Sequence, residues 1–193
     1  MLSDKEKHFA LGLARNSLKN YLETGTQLPL ERQSLIEKFG KESELLKGQG
    51  CFVTLTTFAG DLRGCIGIII SDRPLYQNIL KYAILAGTED PRFNALSLAE
   101  LARLQIEISA LGAIVSMQNT DAIVVGKHGL IIKQGANQGL LLPQVALEWG
   151  WNKQEFLEHT CQKADLPKDA WNNKETEIYS FTAEVFSEKQ LTN

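Results

Sequence analysis

The spacing of apolar residues changes along the chain, and these changes mark the predicted helices and strands. Near the amino terminus, apolar residues recur every three to five positions, as they do on one face of an α-helix. Ser3 and Glu6 have the spacing of a capping box, in which a hydroxyl and a carboxylate each pair with a backbone N–H group at a helix start. The pattern therefore predicts a helix from Asp4 to about Tyr21.

Strand patterns occupy the middle and the end of the chain. Residues 51–57 are rich in Thr, Val and Phe, and turn-forming residues separate them from an apolar run at 62–70, which together predict a hairpin. Glycines and an asparagine between the apolar runs 130–132 and 140–142 predict another hairpin. Polar and apolar residues alternate from 179 to 185, as in a strand with one solvent-facing side. The same reasoning predicts helices at 35–39, at 75–86, after 97 and at 152–164, and a strand at 105–111.

This order of elements predicts the fold class. Hairpins followed by helices, rather than a regular alternation of strand and helix, are typical of an α+β fold with a largely antiparallel sheet flanked by helices. A chain of 193 residues is long enough to bury its own core without metal or disulfide support. We therefore expect a single domain over residues 1–193.

Composition and charge argue against several classes of protein. The chain is 44% hydrophobic and 22% charged, which is ordinary for a globular protein and argues against disorder. Its formal net charge of −3 at pH 7 argues against non-specific binding to nucleic acid, which requires excess Lys and Arg. No apolar run approaches the roughly 18 to 20 residues of a membrane-spanning helix, and the first residues lack the apolar core of a secretory signal. We expect a cytoplasmic protein whose three cysteines are thiols.

The strongest chemical signal is the pair Arg63 and Cys65, two residues apart in a predicted strand. Side chains alternate along a strand, so both are expected on the same face. A cation beside a thiol favours the thiolate and lowers its pKa, which makes Cys65 a candidate nucleophile. Glycines follow both residues and would let a ligand approach closely. The alternative is that Cys65 is a small buried apolar residue and Arg63 an edge-strand charge.

A second polar group lies at residues 89–93, after a predicted helix. Arg92 is a planar two-pronged donor suited to a carboxylate or phosphate, and Asp90 is expected to orient it. The alternative is ordinary turn chemistry before Pro91, with Arg92 paired to a neighbouring carboxylate at the surface.

Two further polar residues are candidates in the second half of the chain. His128 precedes Gly129 at a strand entrance and is a candidate acid or base for Cys65; the alternative is a structural histidine in a turn. Gln144 follows a leucine run and Pro143, and its amide is expected either to face a cleft or to cap the next helix.

Metal and nucleotide motifs are absent from the sequence. No two cysteines are separated by the two-residue gap of zinc sites, no two histidines lie four residues apart, and the glycine-rich stretches match neither phosphate-loop pattern. We expect no metal centre and no cofactor.

Five blocks of the sequence resemble those of a known family, in the same order. They are Leu-Arg-Gly-Cys-Ile-Gly at 62–67, Asp-Pro-Arg-Phe at 90–93, His-Gly-Leu at 128–130, Gly-Leu-Leu-Leu-Pro-Gln-Val at 139–145, and the 155–161 segment that ends in Cys161. On these blocks, the chain resembles the AMMECR-type domain family, whose prokaryotic members are protein A of the AmmeMemoRadiSam system. The resemblance implies an α+β fold with a smaller lobe packed on a larger one. It also implies partners, a Memo-like protein and a radical S-adenosylmethionine protein.

Two hypotheses about function follow. In the first, the chain is an enzyme or substrate-handling subunit in the pathway of those partners. Its anionic substrate is small or carried by a partner, Cys65 is the nucleophile and His128 the acid or base, and four residues bind substrate: Arg63, Asp90, Arg92 and Gln144. In the second, the chain is a non-catalytic binding or adaptor module, and Arg63, Cys65 and Arg92 line a cleft that recognises a partner protein or a small anion.

Overall fold

The structure, a computed structural model, describes residues 1–191 and divides into two compact units. The first unit combines Met1–Ala110 with the segment from Glu184 onward, and the second is Leu111–Ala183. Within the described residues, the helices are α1 (Asp4–Thr24), α2 (Arg32–Phe39), α3 (Leu75–Thr88), α4 (Leu98–Leu101), α5 (Pro143–Glu148), α6 (Lys153–Lys163) and α7 (Glu188–Leu191). The strands are β1 (Cys51–Thr57), β2 (Leu62–Ile68), β3 (Leu104–Leu111), β4 (Val115–Ser116), β5 (His128–Gln134), β6 (Asn137–Leu141) and β7 (Glu177–Ser187).

The predicted capping box starts the long helix α1 of the first unit. The Ser3 hydroxyl accepts a hydrogen bond from the Glu6 N–H group, and the Glu6 carboxylate accepts one from the Ser3 N–H group. Glu6 Oε1 also accepts a hydrogen bond from the hydroxyl of Ser43, which is buried. The cap therefore fixes the start of α1 and ties it to the loop that leads into the sheet.

The sheet of the first unit has β1 at its centre. Strand β1 pairs antiparallel with β2 on one side and with β3 on the other. Cys65 of β2 is opposite Thr54 of β1, which is opposite Glu107 of β3, so the three side chains form a row on one face. Strand β2 is at an edge, since β1 is its only strand neighbour in the described part of the chain.

Helix α3 packs against the other face of this sheet. A Cβ atom added at Gly64 would overlap the carbonyl oxygen of Ala86 in α3, so the strand and the helix touch through a residue that has no side chain. Since Gly64 faces α3, its neighbours Arg63 and Cys65 project from the opposite face. Gly64 thus determines which way the candidate site faces.

The second unit is a smaller antiparallel arrangement. Strand β5 pairs with β6 and β7, and β4 pairs with β7. Helix α6 begins at a second capping box, formed by Asn152 and Glu155. The core of this unit is apolar and includes Leu130, Ile132, Phe156, Leu157, Cys161 and Ile178.

The predicted α+β class is confirmed, with antiparallel strands in both units. Strand β1 has the predicted limits, whereas β2 ends at Ile68, two residues before the predicted end, because the chain bends at 69–70. The sequence pattern gives no limits for α5, since six residues span less than two helical turns and show no period. None of the helices in residues 1–191 is long and apolar enough to cross a membrane.

Candidate functional site

Asp90 and Arg92 cover the exposed edge of β2 at Cys65. The Asp90 carboxylate accepts a hydrogen bond from the Cys65 N–H group at 2.8 Å, and Arg92 Nη2 donates to the Cys65 carbonyl oxygen at 3.4 Å. Arg92 also donates to both carboxylate oxygens of Asp90, at 2.9 Å from Nε and 2.6 Å from Nη2. The two side chains, which we call the edge clamp, bond to backbone groups that a further strand would otherwise pair.

The edge clamp is strongly polarised. The Arg92 guanidinium and the Cys65 N–H group hold the pKa of Asp90 well below its usual range. The side chain of Asp90 is 2% exposed and that of Arg92 is 52% exposed. The negative charge is therefore buried, whereas the positive charge of the pair faces solvent.

Arg63 is held by different partners. Its guanidinium forms a salt bridge with Glu100 through Nε and Nη2, and Nη2 also donates to the Asn94 carbonyl oxygen at 3.0 Å. The salt bridge lowers the pKa of Glu100. Nη1 of Arg63 is buried and has no hydrogen-bond partner among the described residues. An unpaired buried donor is costly, so Arg63 has an unused capacity for one acceptor.

A surface pocket of about 420 Å³ lies between the two arginines. It is lined by Arg63 and by residues 91–94, and none of these lining residues is acidic. The ring of Phe93 lies 5.6 Å from the guanidinium carbon of Arg63 and 5.5 Å from that of Arg92, distances typical of cation–π contacts. The pocket thus presents two guanidinium groups on one aromatic ring, which suits an anion.

Cys65 is half-buried and is not part of the lining of this pocket. Its Sγ atom accepts a hydrogen bond from the Thr54 hydroxyl at 3.3 Å. Burial raises the pKa of Cys65, and this effect exceeds the opposing effects of Thr54 and of the Arg92 charge. The expectation of a lowered pKa caused by Arg63 is therefore wrong: Arg92 is the nearby cation, and loss of solvation outweighs it.

Alkylation kinetics will show this raised pKa. At pH 7, iodoacetamide is expected to modify Cys65 more slowly than it modifies N-acetylcysteine, because less thiolate is present. The rate should rise as the pH increases beyond the ordinary thiol range, and Thr54→Val should slow it further. Peptide mass spectrometry will separate Cys65 from Cys51 and Cys161, which are both 0% exposed. Faster modification of Cys65 than of N-acetylcysteine at pH 7 would contradict the assignment.

His128 and Gln144 belong to the second unit. His128 is the first residue of β5, and its Nδ1 atom accepts a hydrogen bond from the Val124 N–H group at 3.2 Å. This bond supports the turn that precedes β5, which fits the structural alternative for His128. Gln144 is the second residue of α5 and is half-buried. Their roles as acid or base and as substrate ligand stay predictions.

No group of three or more His, Cys, Asp or Glu side chains between residues 1 and 191 is arranged to hold a metal ion. The three cysteines are free thiols, and two of them, Cys51 and Cys161, are buried.

Comparison with known proteins shows the family to which this chain belongs. A sequence model of the AMMECR1 family matches residues 11–186. The chain belongs to the AMMECR1 family. Protein PF1979 of Pyrococcus furiosus is 38% identical over 197 aligned positions, which cover 97% of this chain and 90% of that protein. Protein MK0488 of Methanopyrus kandleri is 39% identical, with 98% and 91% covered.

A solved structure shows the same fold. The crystal structure of uncharacterized protein PH0010 from Pyrococcus horikoshii superposes with a TM-score of 0.88 at 38% identity, and the match covers 97% of this chain and 94% of that one. The predicted resemblance to the AMMECR-type family is thereby confirmed over nearly the whole chain.

Within this AMMECR1 chain, the structure brings together Arg63, Cys65, Asp90 and Arg92. Sequence reasoning missed three of their neighbours: Thr54, Phe93 as a ring between the arginines, and Glu100 as the partner of Arg63. The hairpin register would have found Thr54, because it is opposite Cys65. Glu100 has the spacing of a capping box with Ser97, and its N–H group does donate to the Ser97 hydroxyl, but its carboxylate binds Arg63 instead.

Proposed function

We propose that this AMMECR1-family chain binds an anionic group, a carboxylate or phosphate, in the pocket between Arg63 and Arg92. The observation that carries the proposal is the polarity of the edge clamp: Arg92 is half-exposed at the pocket, while its compensating carboxylate on Asp90 is buried behind it. A guanidinium that is already oriented loses little conformational freedom when an anion binds.

The two arginines have different roles in this proposal. Each arginine is paired with a carboxylate, Arg63 with Glu100 and Arg92 with Asp90, and Arg92 supplies the more exposed guanidinium. Arg63 lines the same pocket, and its Nη1 atom is buried without a partner among the residues described, so the proposal requires a shift of the guanidinium that brings Nη1 to the anion. Gain of an acceptor there removes the cost of an unpaired donor. The anion would therefore be attracted by the exposed guanidinium of Arg92 and would accept a hydrogen bond from Arg63, with Phe93 between the two arginines.

Titration with inorganic phosphate and with succinate tests the proposal. Arg92→Gln is expected to weaken binding of at least one of these anions by about tenfold, since loss of a charge-assisted hydrogen bond costs about 1.5 kcal/mol or more. Arg63→Lys keeps the charge but loses the planar fork, and it should weaken binding as well. Arg103→Gln, at an exposed arginine outside the pocket, is the charge-matched control and should leave affinity unchanged.

Equal affinities in Arg92→Gln, Arg63→Lys and the wild type would contradict the proposal. Isothermal titration calorimetry at low ionic strength measures these affinities, and thermal unfolding of each variant shows whether the fold is intact.

The second candidate function is cysteine-dependent chemistry. It is favoured by the Thr54 hydroxyl that donates to Cys65 Sγ and by the Arg92 charge near the thiol. Cys65→Ser separates the two functions: unchanged binding with unchanged cellular function supports a binding module, whereas unchanged binding with lost cellular function supports catalysis.

The family resemblance adds the pathway. We include in the proposal that the anion is small or carried by a partner, and that the chain acts with a Memo-like protein and a radical S-adenosylmethionine protein. Co-purification with those proteins would support this part.

A further inference from the structure

A second pocket lies at the start of helix α3, apart from the residues that line the first. Its volume is about 430 Å³, within the range of small-molecule sites. We call it the Arg73 pocket; its lining residues are the 27–30 segment, Arg73, Tyr76, Gln77, Leu80 and Lys81. None of them serves the proposed anion site at Arg63 and Arg92.

The inner wall of the Arg73 pocket is apolar. Tyr76 and Leu80 are 2% and 3% exposed and lie four residues apart on one face of α3. Leu28 and Leu30, from the segment between α1 and α2, are partly buried and pack against the same core. Because Tyr76 and Leu80 are already buried, Leu28, Pro29 and Leu30 are the apolar lining residues that a ligand would contact.

The rim of the Arg73 pocket is cationic. Arg73 and Lys81 are exposed, and neither forms a salt bridge with any residue in the described part of the chain. No lining residue is acidic. In a chain with a formal net charge of −3, two cations at one pocket without a lining carboxylate indicate a site for negative charge.

Three polar side chains add hydrogen-bonding capacity. The Tyr76 hydroxyl oxygen accepts a hydrogen bond from Gln77 Nε2 at 3.1 Å, and no described residue accepts the hydroxyl proton of this buried tyrosine. Gln27, which also lines the pocket, contributes a second carboxamide. With Arg73 and Lys81, the pocket thus holds donors of four chemical kinds.

The amino-terminal end of helix α3 also favours a negatively charged ligand. The N-cap of this helix of 14 residues is Pro74, which makes no side-chain hydrogen bond to the first turn because its ring has no acceptor. The positive end of the helix dipole therefore lies beside Arg73 without a capping carboxylate or hydroxyl.

We propose that the Arg73 pocket binds a small phosphate monoester whose organic group is apolar. A phosphate has three terminal oxygens and takes more hydrogen bonds than a carboxylate, which matches the number of donors around the rim. The apolar wall accommodates the organic group. The site is independent of the anion pocket at Arg63 and Arg92.

Titration with phenyl phosphate tests the proposal, with inorganic phosphate, benzoate and phenol as comparison ligands. Phenyl phosphate is expected to bind severalfold more tightly than inorganic phosphate and about tenfold more tightly than benzoate or phenol, because only it combines a dianion with an apolar ring. Arg73→Gln is expected to weaken its binding by about tenfold or more, and Lys81→Gln severalfold. Both side chains are exposed, so the variants should fold.

Control variants locate the site. The titrations are also made in an Arg92→Gln background, which removes the anion site proposed at Arg63 and Arg92, so that phosphate binding that Arg73→Gln weakens there belongs to the Arg73 pocket. Arg103→Gln controls for loss of one exposed charge. Backbone amide signals of Tyr76, Gln77 and Lys81 should shift in heteronuclear NMR spectra on addition of the ligand.

Several results would overturn the proposal. Unchanged phenyl phosphate affinity in both Arg73→Gln and Lys81→Gln would exclude this pocket, as would no binding to the wild type at about 10 mM ligand, where even a weak millimolar site would be largely occupied. Equal affinity for benzoate would exclude phosphate selectivity, and equal affinity for inorganic phosphate would exclude a role for the apolar wall. Tighter binding of a phosphoserine peptide than of phenyl phosphate would replace the small molecule by a protein partner.

Discussion

Replacement of Asp90 by alanine will lower the free energy of unfolding by about 2 kcal/mol, as expected when a buried carboxylate that accepts charge-assisted hydrogen bonds is removed while its partner Arg92 stays solvated. Asp90 is 4% exposed, and its carboxylate accepts hydrogen bonds from the Cys65 N–H group and from the Arg92 side chain. Alanine leaves both donors without this acceptor at the edge of β2. Urea denaturation at pH 7 measures the change, and Asp72→Ala, at an exposed aspartate, is the control, expected to change stability by less than about 0.5 kcal/mol.

The effect of Asp90 has a defined pH dependence. Because the pKa of Asp90 is lower in the folded chain than in the unfolded chain, its ionised form stabilises the fold above the ordinary aspartate pKa of about 4. This contribution is lost as the pH falls from there through the folded pKa. The stability difference between the wild type and Asp90→Asn should therefore be constant near neutral pH and decrease below about pH 4. A difference that grows with acidification would contradict the assigned ion pair.

Replacement of Gly64 by alanine will also lower the free energy of unfolding by about 3 kcal/mol, the upper part of the usual range for overpacking. The added Cβ atom would overlap the Ala86 carbonyl oxygen, which is backbone and cannot rotate away. Strand β2 and helix α3 would have to separate. Thermal and urea unfolding measure the loss of stability. A change in the rate of Cys65 alkylation would show that β2 has moved.

Gly12→Ala is the matched control for this prediction. Gly12 is exposed within α1, and an added Cβ atom would meet nothing within 4 Å. Alanine is a better helix former than glycine, so this variant should gain about 0.5 to 1 kcal/mol. The same chemical change is thus expected to have opposite signs at the two positions. A Gly64→Ala variant as stable as the wild type would show that β2 does not lie directly on α3.

Local patterns predicted much of the fold. The capping box at Ser3 bonds as its spacing predicts, the helix predicted at 152–164 begins after Asn152, and both hairpins form between the predicted apolar runs. These features depend on residues close in sequence, where side-chain chemistry and backbone geometry determine each other. The short helix α5 was beyond this reasoning because it has no measurable period.

The sequence predicted which residues lie in the candidate site, but it did not predict which residues they bond to. Strand alternation correctly places Arg63 and Cys65 on one face, away from α3. The partner of each arginine depends on tertiary contacts: Arg92 reaches the backbone of Cys65, 27 residues earlier, and Arg63 reaches Glu100, 37 residues later. The degree of burial of Cys65, which reverses the expected direction of its pKa shift, depends on the same contacts.

These connections change the functional interpretation. Cys65 was expected to be reactive, but its backbone N–H group is bound by the edge clamp. The side chain that is exposed to solvent is that of Arg92. Binding of an anion therefore has stronger support in the geometry than activation of a thiol. Because Arg92 contacts both the pocket and the Cys65 carbonyl oxygen, we expect bound anion and Cys65 reactivity to be coupled.

The most direct measurement is the response of the arginine side-chain Nε–Hε signals of ¹⁵N-labelled protein to inorganic phosphate and to succinate. An Arg73→Gln background removes the second proposed site. Arg63 and Arg92 are predicted to shift together and to saturate with one dissociation constant for at least one anion, while Arg103 stays unchanged. Signals of Arg63 and Arg92 that do not move with either anion would contradict anion binding in this pocket.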